Sequence, residues 1–533
     1  CRRSSTSCGC CRIAGIRGRA RSSSSRVRWA RHRRSRSAAV SAAELQDCES
    51  NALVIFDQPL ADGFSALEAS GGCVVHFLPP HALIGYLPEE LQALPGASVY
   101  RDAVDPAMLA QYGAEAELAA HAWNSNHVQP PQPVEISPQA QPLAGEVMRL
   151  DPELLPERPA AIDAAPGYYD MSGFMAGRVA VGIVLPESNG AQDPSTENWD
   201  ASRMNTVVAE IQQGLNWWAG HNPGGNLQFV YDIHPQVPTR FEPINRNLSD
   251  HHYWISETLA GLGFNGSYWY QQSYAYLNNL RTTQQADWAV LIFVVDSLHD
   301  ANGMFPDNFF AYSYHMPPVV VMTYDNDGWS IGNMDSVTAH EVAHNFGAGD
   351  EYGSCNCSEL FGYLAIPNSN CHECATVDCI MLTGSVTSGA CEVSRHQVGM
   401  RDTDSDGKPD PVDTFPAFTV TSQPPDRIPG SVVSYAGSIR DVPWDSPTGP
   451  EFTINKITTV QYSLDGGAWL PAVAGDGVFD EVDEDFRLSI AGLSVGDHQV
   501  RIRASNRWGN STLWTDTFTR IDGLSLFLPV LVR

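Results

Sequence analysis

Lysine is almost absent from this chain. Of 32 basic residues only Lys408 and Lys456 are lysines, and 61 acids leave a formal net charge of −29. The arginines are unevenly spread: residues 1–36 hold twelve Arg and no acid, so the remainder carries −41. So acidic a body excludes a nucleic-acid-binding surface, which must be basic. It suits an exported soluble protein or a calcium binder. No run of eighteen apolar residues occurs, so no membrane-spanning helix is expected. Cysteine is missing between Cys73 and Cys355 and again after Cys391. The C-terminal fifth therefore has to hold together without crosslinks.

The 533 residues are too many for one core, and 43% hydrophobic content is enough to build several. Residues 1–45 read as a disordered or non-native Arg/Ser-rich tail, with a basic arm as the rival reading. No signal-peptide hydrophobic region is visible in it. Residues 46–123 read as strands at 52–56, 73–77, 83–87 and 97–101, with helices at 64–69 and 88–94. That βαββαβ order suggests a small ferredoxin-like unit, placed where a propeptide would stand. Cys73 reads as a lone buried strand cysteine rather than an inhibitory metal thiolate. Residues 124–176, with Pro130, Pro131, Pro133, Pro138 and Pro142, read as a linker and a processing region.

From 177 to 401 the pattern alternates. Strands are expected at 179–185, 227–233, 288–295 and 319–323, with 311–315 as an edge strand. A helix over 203–218 places Met204, Val207, Val208, Ile211, Leu215 and Trp218 on one face. Aromatic-rich helices follow near 253–262 and 270–281. A last helix begins at Asp335 or Ser336, either of which would serve as its N-cap. This is an α/β domain with a mixed sheet. Residues 418–533 read as short strands, clearest at 459–464, 486–490, 497–504 and 513–520, with Asp465-Gly466-Gly467 as a hairpin turn. They form an all-β sandwich of immunoglobulin or fibronectin type.

Residues 340–350 read HEVAHNFGAGD. On a helix His340 and His344 project from one face and can hold one zinc ion. Glu341 lies one step round and reaches a water there rather than the metal. Gly347 lets the chain leave the helix in a conformation closed to bulkier residues, bringing Asp350 back as third ligand. Glu351 is the alternative third ligand. Three protein ligands leave the fourth position open, which is the catalytic arrangement. Cys379-Ile380-Met381 follows about thirty residues later, where a methionine turn would support the metal.

These residues resemble the metzincin zinc peptidases, in the HExxHxxGxxD variant of snapalysin-like enzymes. The resemblance covers roughly residues 178–402. It implies that His340, His344 and Asp350 bind catalytic zinc, that Glu341 is the general base, and that Met381 forms the Met-turn. It implies a secreted endopeptidase acting on a protein or peptide substrate. Most metzincins use His where this chain has Asp350, and have a Tyr near the Met-turn. None occurs from 368 to 401, so such a donor must come from elsewhere. The alternative function is a non-catalytic adhesion or binding protein on the same scaffold, against which the intact Glu341 speaks. A non-proteolytic zinc hydrolase is a third reading.

Cys355, Cys357, Cys371, Cys374, Cys379 and Cys391 cluster after this motif and read as disulfides formed outside the cytoplasm. A structural zinc at the CxxC of Cys371 and Cys374 is the rival. In the 402–417 segment, Asp402, Asp404 and Asp406 alternate before Gly407, and Asp410 and Asp413 follow. Oxygen donors so spaced suit structural calcium, and resemble thrombospondin type 3 and dockerin loops. The remaining expectations are a cell-surface or glycan contact through the C-terminal domain, and a monomer.

Overall fold

The computed structural model describes residues 48–91, 93–129, 134, 147–148, 164–447 and 451–522. The tail at 1–45 and most of the Pro-rich linker fall outside the described residues. Among the described residues the chain forms a large mixed sheet with helices on its faces. A two-stranded ribbon follows, and then sheets of four and five mostly antiparallel strands.

The first strands are β1 (Ala52–Phe56), β2 (Cys73–Leu78), β3 (Ala82–Tyr86) and β4 (Ala97–Tyr100), with helix α1 (Gly63–Glu68) between β1 and β2. Helix α2 (Ala114–Trp123) and the short β5 (Val147–Met148) come next. Then follow β6 (Arg178–Ser188), α3 (Ala201–Gly220), β7 (Gln228–Thr239), α4 (His251–Gly261), α5 (Trp269–Thr283) and β8 (Trp288–Val295). The series ends with β9 (Ala311–Tyr314), β10 (Val319–Thr323) and α6 (Met334–Asn345). Together the strands make one ten-stranded sheet in the order β4-β1-β3-β2-β7-β6-β8-β10-β9-β5.

Strand β8 (WAVLIFVV) explains the layering. All eight residues are buried, as a parallel strand covered on both faces requires. Trp288, Val290, Ile292 and Val294 join one core with α3 and α6. Ala289, Leu291, Phe293 and Val295 join another with α4 and α5. The period of two along a strand thus sorts helices to opposite faces.

Residues 46–123 depart from expectation. The helix at 88–94 is not formed, and β2 pairs in parallel with β7 through His76–Phe229 and Phe77–Val230. Its four strands keep the antiparallel order β4-β1-β3-β2 of a ferredoxin-like sheet, without the second helix, and β2 joins that sheet to the main one. Val75, Leu78 and Ile84 share their core with Val207 and Trp218 of α3. The segment and α3 thus share one core. Cys73 is not alone either: it pairs with Cys48 across a Cα separation of 6.0 Å.

Strand β9 lies inside the sheet, between β10 and β5, rather than at its edge. Asn333 stands at the N-cap position of α6 without a side-chain capping bond, and Asp335 and Ser336 lie inside the first turn. The single-turn 3-10 helix Ile331–Asn333 feeds directly into it, which moves the start upstream of both expected caps.

The C-terminal sheets enclose their own apolar core, including Tyr435, Ile439, Phe486, Val500, Ile502 and Phe518. The turn after residue 464 has Asp465 at φ 50° and Gly466 at φ 74°, as a primed hairpin turn demands. Phe452 and Ile454, just before this core, insert into the one that β8 shares with α3 and α6, beside Phe174 and Trp288. Arg507 forks onto Asp287, Nη1 to Oδ1 at 3.0 Å and Nη2 to Oδ2 at 2.8 Å. The two parts meet through an apolar plug and a buried-side ion pair.

Candidate metal centre

Helix α6 is buried along all twelve residues. It reaches that depth by close approach to α3. A Cβ at Gly214 would lie 2.4 Å from the Asp335 carbonyl oxygen, so only glycine fits the crossing. Trp218 Nε1 donates to the Ala339 carbonyl at 2.8 Å. At the other end, Asn345 Nδ2 donates to the Tyr314 carbonyl at 2.7 Å, fixing α6 to β9.

The helix ends in a Schellman turn. Ala348 N donates to Ala343 O at 3.0 Å and Gly347 N to His344 O at 3.0 Å, with Gly347 at φ 88°. A side chain there would be strained, and its Cβ would meet Gly362 Cα at 2.8 Å. This reversal returns the chain to the helix face carrying the histidines.

Three donor atoms then converge. His340 Nε2 and His344 Nε2 are 3.1 Å apart. Asp350 Oδ1 lies 3.3 Å from the first and 3.2 Å from the second. Ligands about 2.0–2.1 Å from a tetrahedral ion stand about 3.3 Å from one another, so this triangle has the edge lengths of a zinc site. The tautomers agree. His340 Nδ1 donates to the Ile380 carbonyl at 3.1 Å and His344 Nδ1 to the Ala348 carbonyl at 2.9 Å. Carbonyls only accept, so in the neutral rings both Nε2 atoms carry lone pairs, and they face each other. A cation between them is what that arrangement accommodates.

Electrostatics point the same way. Burial alone would raise the Asp350 carboxyl, yet the two imidazoles hold it well below the usual carboxylate range. Burial alone would lower His344, yet the Asp350 and Glu341 carboxylates lift it to about 9. The cluster is built to hold positive charge.

Glu341 is fully buried and neither carboxylate oxygen makes a hydrogen bond of ordinary geometry; the Ser313 hydroxyl favours its charged form only weakly. Burial pushes its carboxyl up, and the two imidazoles oppose that shift. A buried carboxylate so weakly partnered beside a cation site is costly as structure alone; it has the form of a group kept free for a ligand or water.

Glu351 points elsewhere. Its Oε1 accepts from Ser394 Oγ at 2.9 Å and its Oε2 from Asn370 Nδ2 at 2.6 Å. Met381 is fully buried in the same core cluster as Val342 and Ala343. Its segment supports the site through the backbone, since Ile380 O receives His340 Nδ1 and Met381 O receives Glu351 N at 2.9 Å. Sequence reading missed Tyr352. Its hydroxyl is 3.4 Å from His340 Nε2 and its ring stacks at 6.0 Å on that imidazole. The available signal was its place two residues beyond Asp350, on the same returning turn.

The cysteines pair as Cys355–Cys371, Cys357–Cys374 and Cys379–Cys391, with Cα separations of 5.8, 6.3 and 5.2 Å. Cys371 and Cys374 therefore go to different partners, not to one ion. In the aspartate loop, the donor atoms of Asp402, Asp404 and Asp406 lie within 4.8 Å of one another. Asp410 and Asp413 do not join them. Asp410 is buried and accepts from Arg401 Nε at 2.5 Å and Thr403 N at 2.8 Å. Asp413 accepts from Asn510 Nδ2 at 2.7 Å. Lys408 Nζ stands 2.6 Å from Asp406 Oδ2 and 3.7 Å from Asp413 Oδ1. The loop's own ammonium thus partly neutralises these carboxylates.

No helix among the described residues is long and apolar enough to cross a membrane. No protein-family model and no curated protein matches the chain. Among solved structures, wild-type OgpA from Akkermansia muciniphila is 11% identical, covering 68% of this chain and 97% of that one, at a TM-score of 0.22. Catalytically inactive OgpA from the same organism, in complex with an O-glycopeptide (glycodrosocin) substrate, is 11% identical over 67% and 96%, at 0.20. The PKD domain of an M14-like peptidase from Thermoplasmatales archaeon SCGC AB-540-F20 is 16% identical over 20% and 94%, at 0.14. At such TM-scores these likenesses carry no argument about this chain.

Proposed function

We propose that this chain is a zinc-dependent endopeptidase, with His340, His344 and Asp350 as the metal ligands and Glu341 as the general base. The observation that carries the reading is the triangle of two Nε2 atoms and one carboxylate oxygen, of zinc dimensions, beside a buried carboxylate that makes no hydrogen bond of ordinary geometry. Zinc held there supplies Lewis acidity, making water more acidic and polarising the scissile carbonyl. Glu341 takes the proton of the attacking water on a carboxylate oxygen and delivers it to the leaving amine. Its burial keeps bulk water from competing for that proton. The Ile380 and Ala348 carbonyls hold both imidazoles in the tautomer that presents Nε2. Tyr352, beside His340, is the hydroxyl placed to donate to the oxyanion that develops on the carbonyl. The crosslinks around the site fit an extracellular setting. Calcium at Asp402, Asp404 and Asp406 is a further part of the reading, as a stabiliser of the joint before the β-sandwich.

The test is digestion of a mixed peptide library by the full chain, before and after removal of metal by a chelator. Cleavage that stops with chelation and returns with zinc supports the reading. Cleavage indifferent to the chelator contradicts it.

A further inference from the structure

A second built feature lies behind Glu351, away from the three ligands. A cavity of about 580 Å³ is lined by residues that include Ile366, Pro367, Val393, Asp378, Glu392 and His396. That volume is in the range of small-ligand sites, about 300–1,000 Å³. No Lys or Arg lines it; the one imidazole in its wall, His396, has its pKa lowered by burial, and the side chains of Asp378 and Glu392 are exposed. The walls are pre-organised. Cys391 lines the cavity and is crosslinked to Cys379. Asn370, also in the wall, accepts from Thr376 N at 3.1 Å and donates to Val377 O at 3.1 Å. The same Asn370 amide donates to Glu351 Oε2, and Glu351 directly follows the candidate ligand Asp350. One side chain thus joins the cavity wall to the strand of backbone that carries the metal site.

We propose that this cavity is a side-chain subsite for an arginine or lysine of a peptide substrate. The aliphatic stem lies along Ile366, Pro367 and Val393, and the cationic head meets Asp378 and Glu392. Long basic side chains divide in this way between an apolar wall and a charged rim, and a wall fixed by crosslinks loses little entropy on binding. The proposal rests on the peptidase reading for its context, but binding alone can judge it.

The experiment uses the full chain carrying Glu341→Gln, so that peptides stay intact. End-capped, fluorescein-labelled octapeptides carry one arginine, or its neutral isostere citrulline, at each position in turn. Binding is read by anisotropy. At one position the arginine peptide is expected to bind about five- to tenfold tighter than the citrulline peptide, the scale of two exposed ion pairs. The preference should shrink in 0.5 M salt, about the level at which surface pairs are screened. It should vanish in Asp378→Asn/Glu392→Gln and persist in Asp476→Asn/Glu481→Gln, a control that removes the same charge from the β-sandwich. Equal binding of the two peptides at every position, or a preference that survives Asp378→Asn/Glu392→Gln, overturns the proposal. If the unmodified chain cleaves no peptide, the peptidase reading falls, while the arginine–citrulline difference still decides the cavity.

Discussion

The third ligand is where the sequence left two candidates, and paired isosteric substitutions separate them. Asp350 Oδ1 closes the triangle with both imidazoles, whereas both Glu351 oxygens are spent on Asn370 and Ser394. Asp350→Asn keeps the volume but removes the charge from the ligand set. Loss of a group that merely supports a ligand weakens metal binding about 10–100-fold, so loss of the ligand charge itself should weaken zinc by more than about 100-fold. The metal-free protein should lose stability as well, because there the Asp350 carboxylate pairs with both buried imidazoles. Glu351→Gln leaves that set intact. Its amide oxygen can still accept from Asn370 Nδ2 while its nitrogen donates to Ser394 Oγ, so only the charge-assisted share of these bonds is lost, at a cost of about 1 kcal/mol. Zinc affinity should change far less. The assay is competition with a chromophoric zinc chelator, paired with urea denaturation of the metal-free forms. If Glu351→Gln loses zinc while Asp350→Asn retains it, the ligand assignment is refuted.

Gly347→Ala should destabilise the fold by about 1–2 kcal/mol for the left-handed backbone, and further for the contact with Gly362; urea denaturation checks it. Stability should also depend on pH with two opposed limbs. Burial, with Asp335 beside it, pushes Glu210 up to about 8, so the fold holds it protonated and loses stability as pH rises from its unfolded value toward 8. Burial lowers His76 to about 3, so the fold holds it neutral and loses stability as pH falls from 6.5 toward 3. Each contributes about 1.4 kcal/mol per pH unit within its window. Glu210→Gln should flatten the alkaline limb between about pH 6.5 and 8 in thermal melts; an unchanged limb contradicts this account. Calcium should raise the melting temperature of the intact chain and not of Asp404→Asn, as read by calorimetry with and without calcium.

Much of the candidate site was legible because its determinants are local. A four-residue spacing on a helix and a glycine able to take φ 88° suffice to bring His340, His344 and Asp350 together. The strands buried on both faces, such as β8, were legible for the same reason: an unbroken apolar run has few other uses. What could not be read is non-local. Nothing in residues 73–78 announces that β2 pairs with β7, because a parallel pairing is set by sheet edges meeting in space. The plug of Phe452 and Ile454 in the core beneath α3 and α6 was likewise invisible, as were the partner of Cys73 and the ring of Tyr352 on His340. Asp410 illustrates the opposite error. Its spacing suits a calcium loop, but Arg401 and Thr403 take it first.

The central claim is tested most directly by replacing Glu341 with glutamine and measuring zinc content and peptide hydrolysis on the same preparation. The account predicts full zinc occupancy with turnover reduced by about 100-fold or more, the scale of a lost general base. A Glu341→Gln protein that holds zinc and cleaves peptides at the original rate would contradict it.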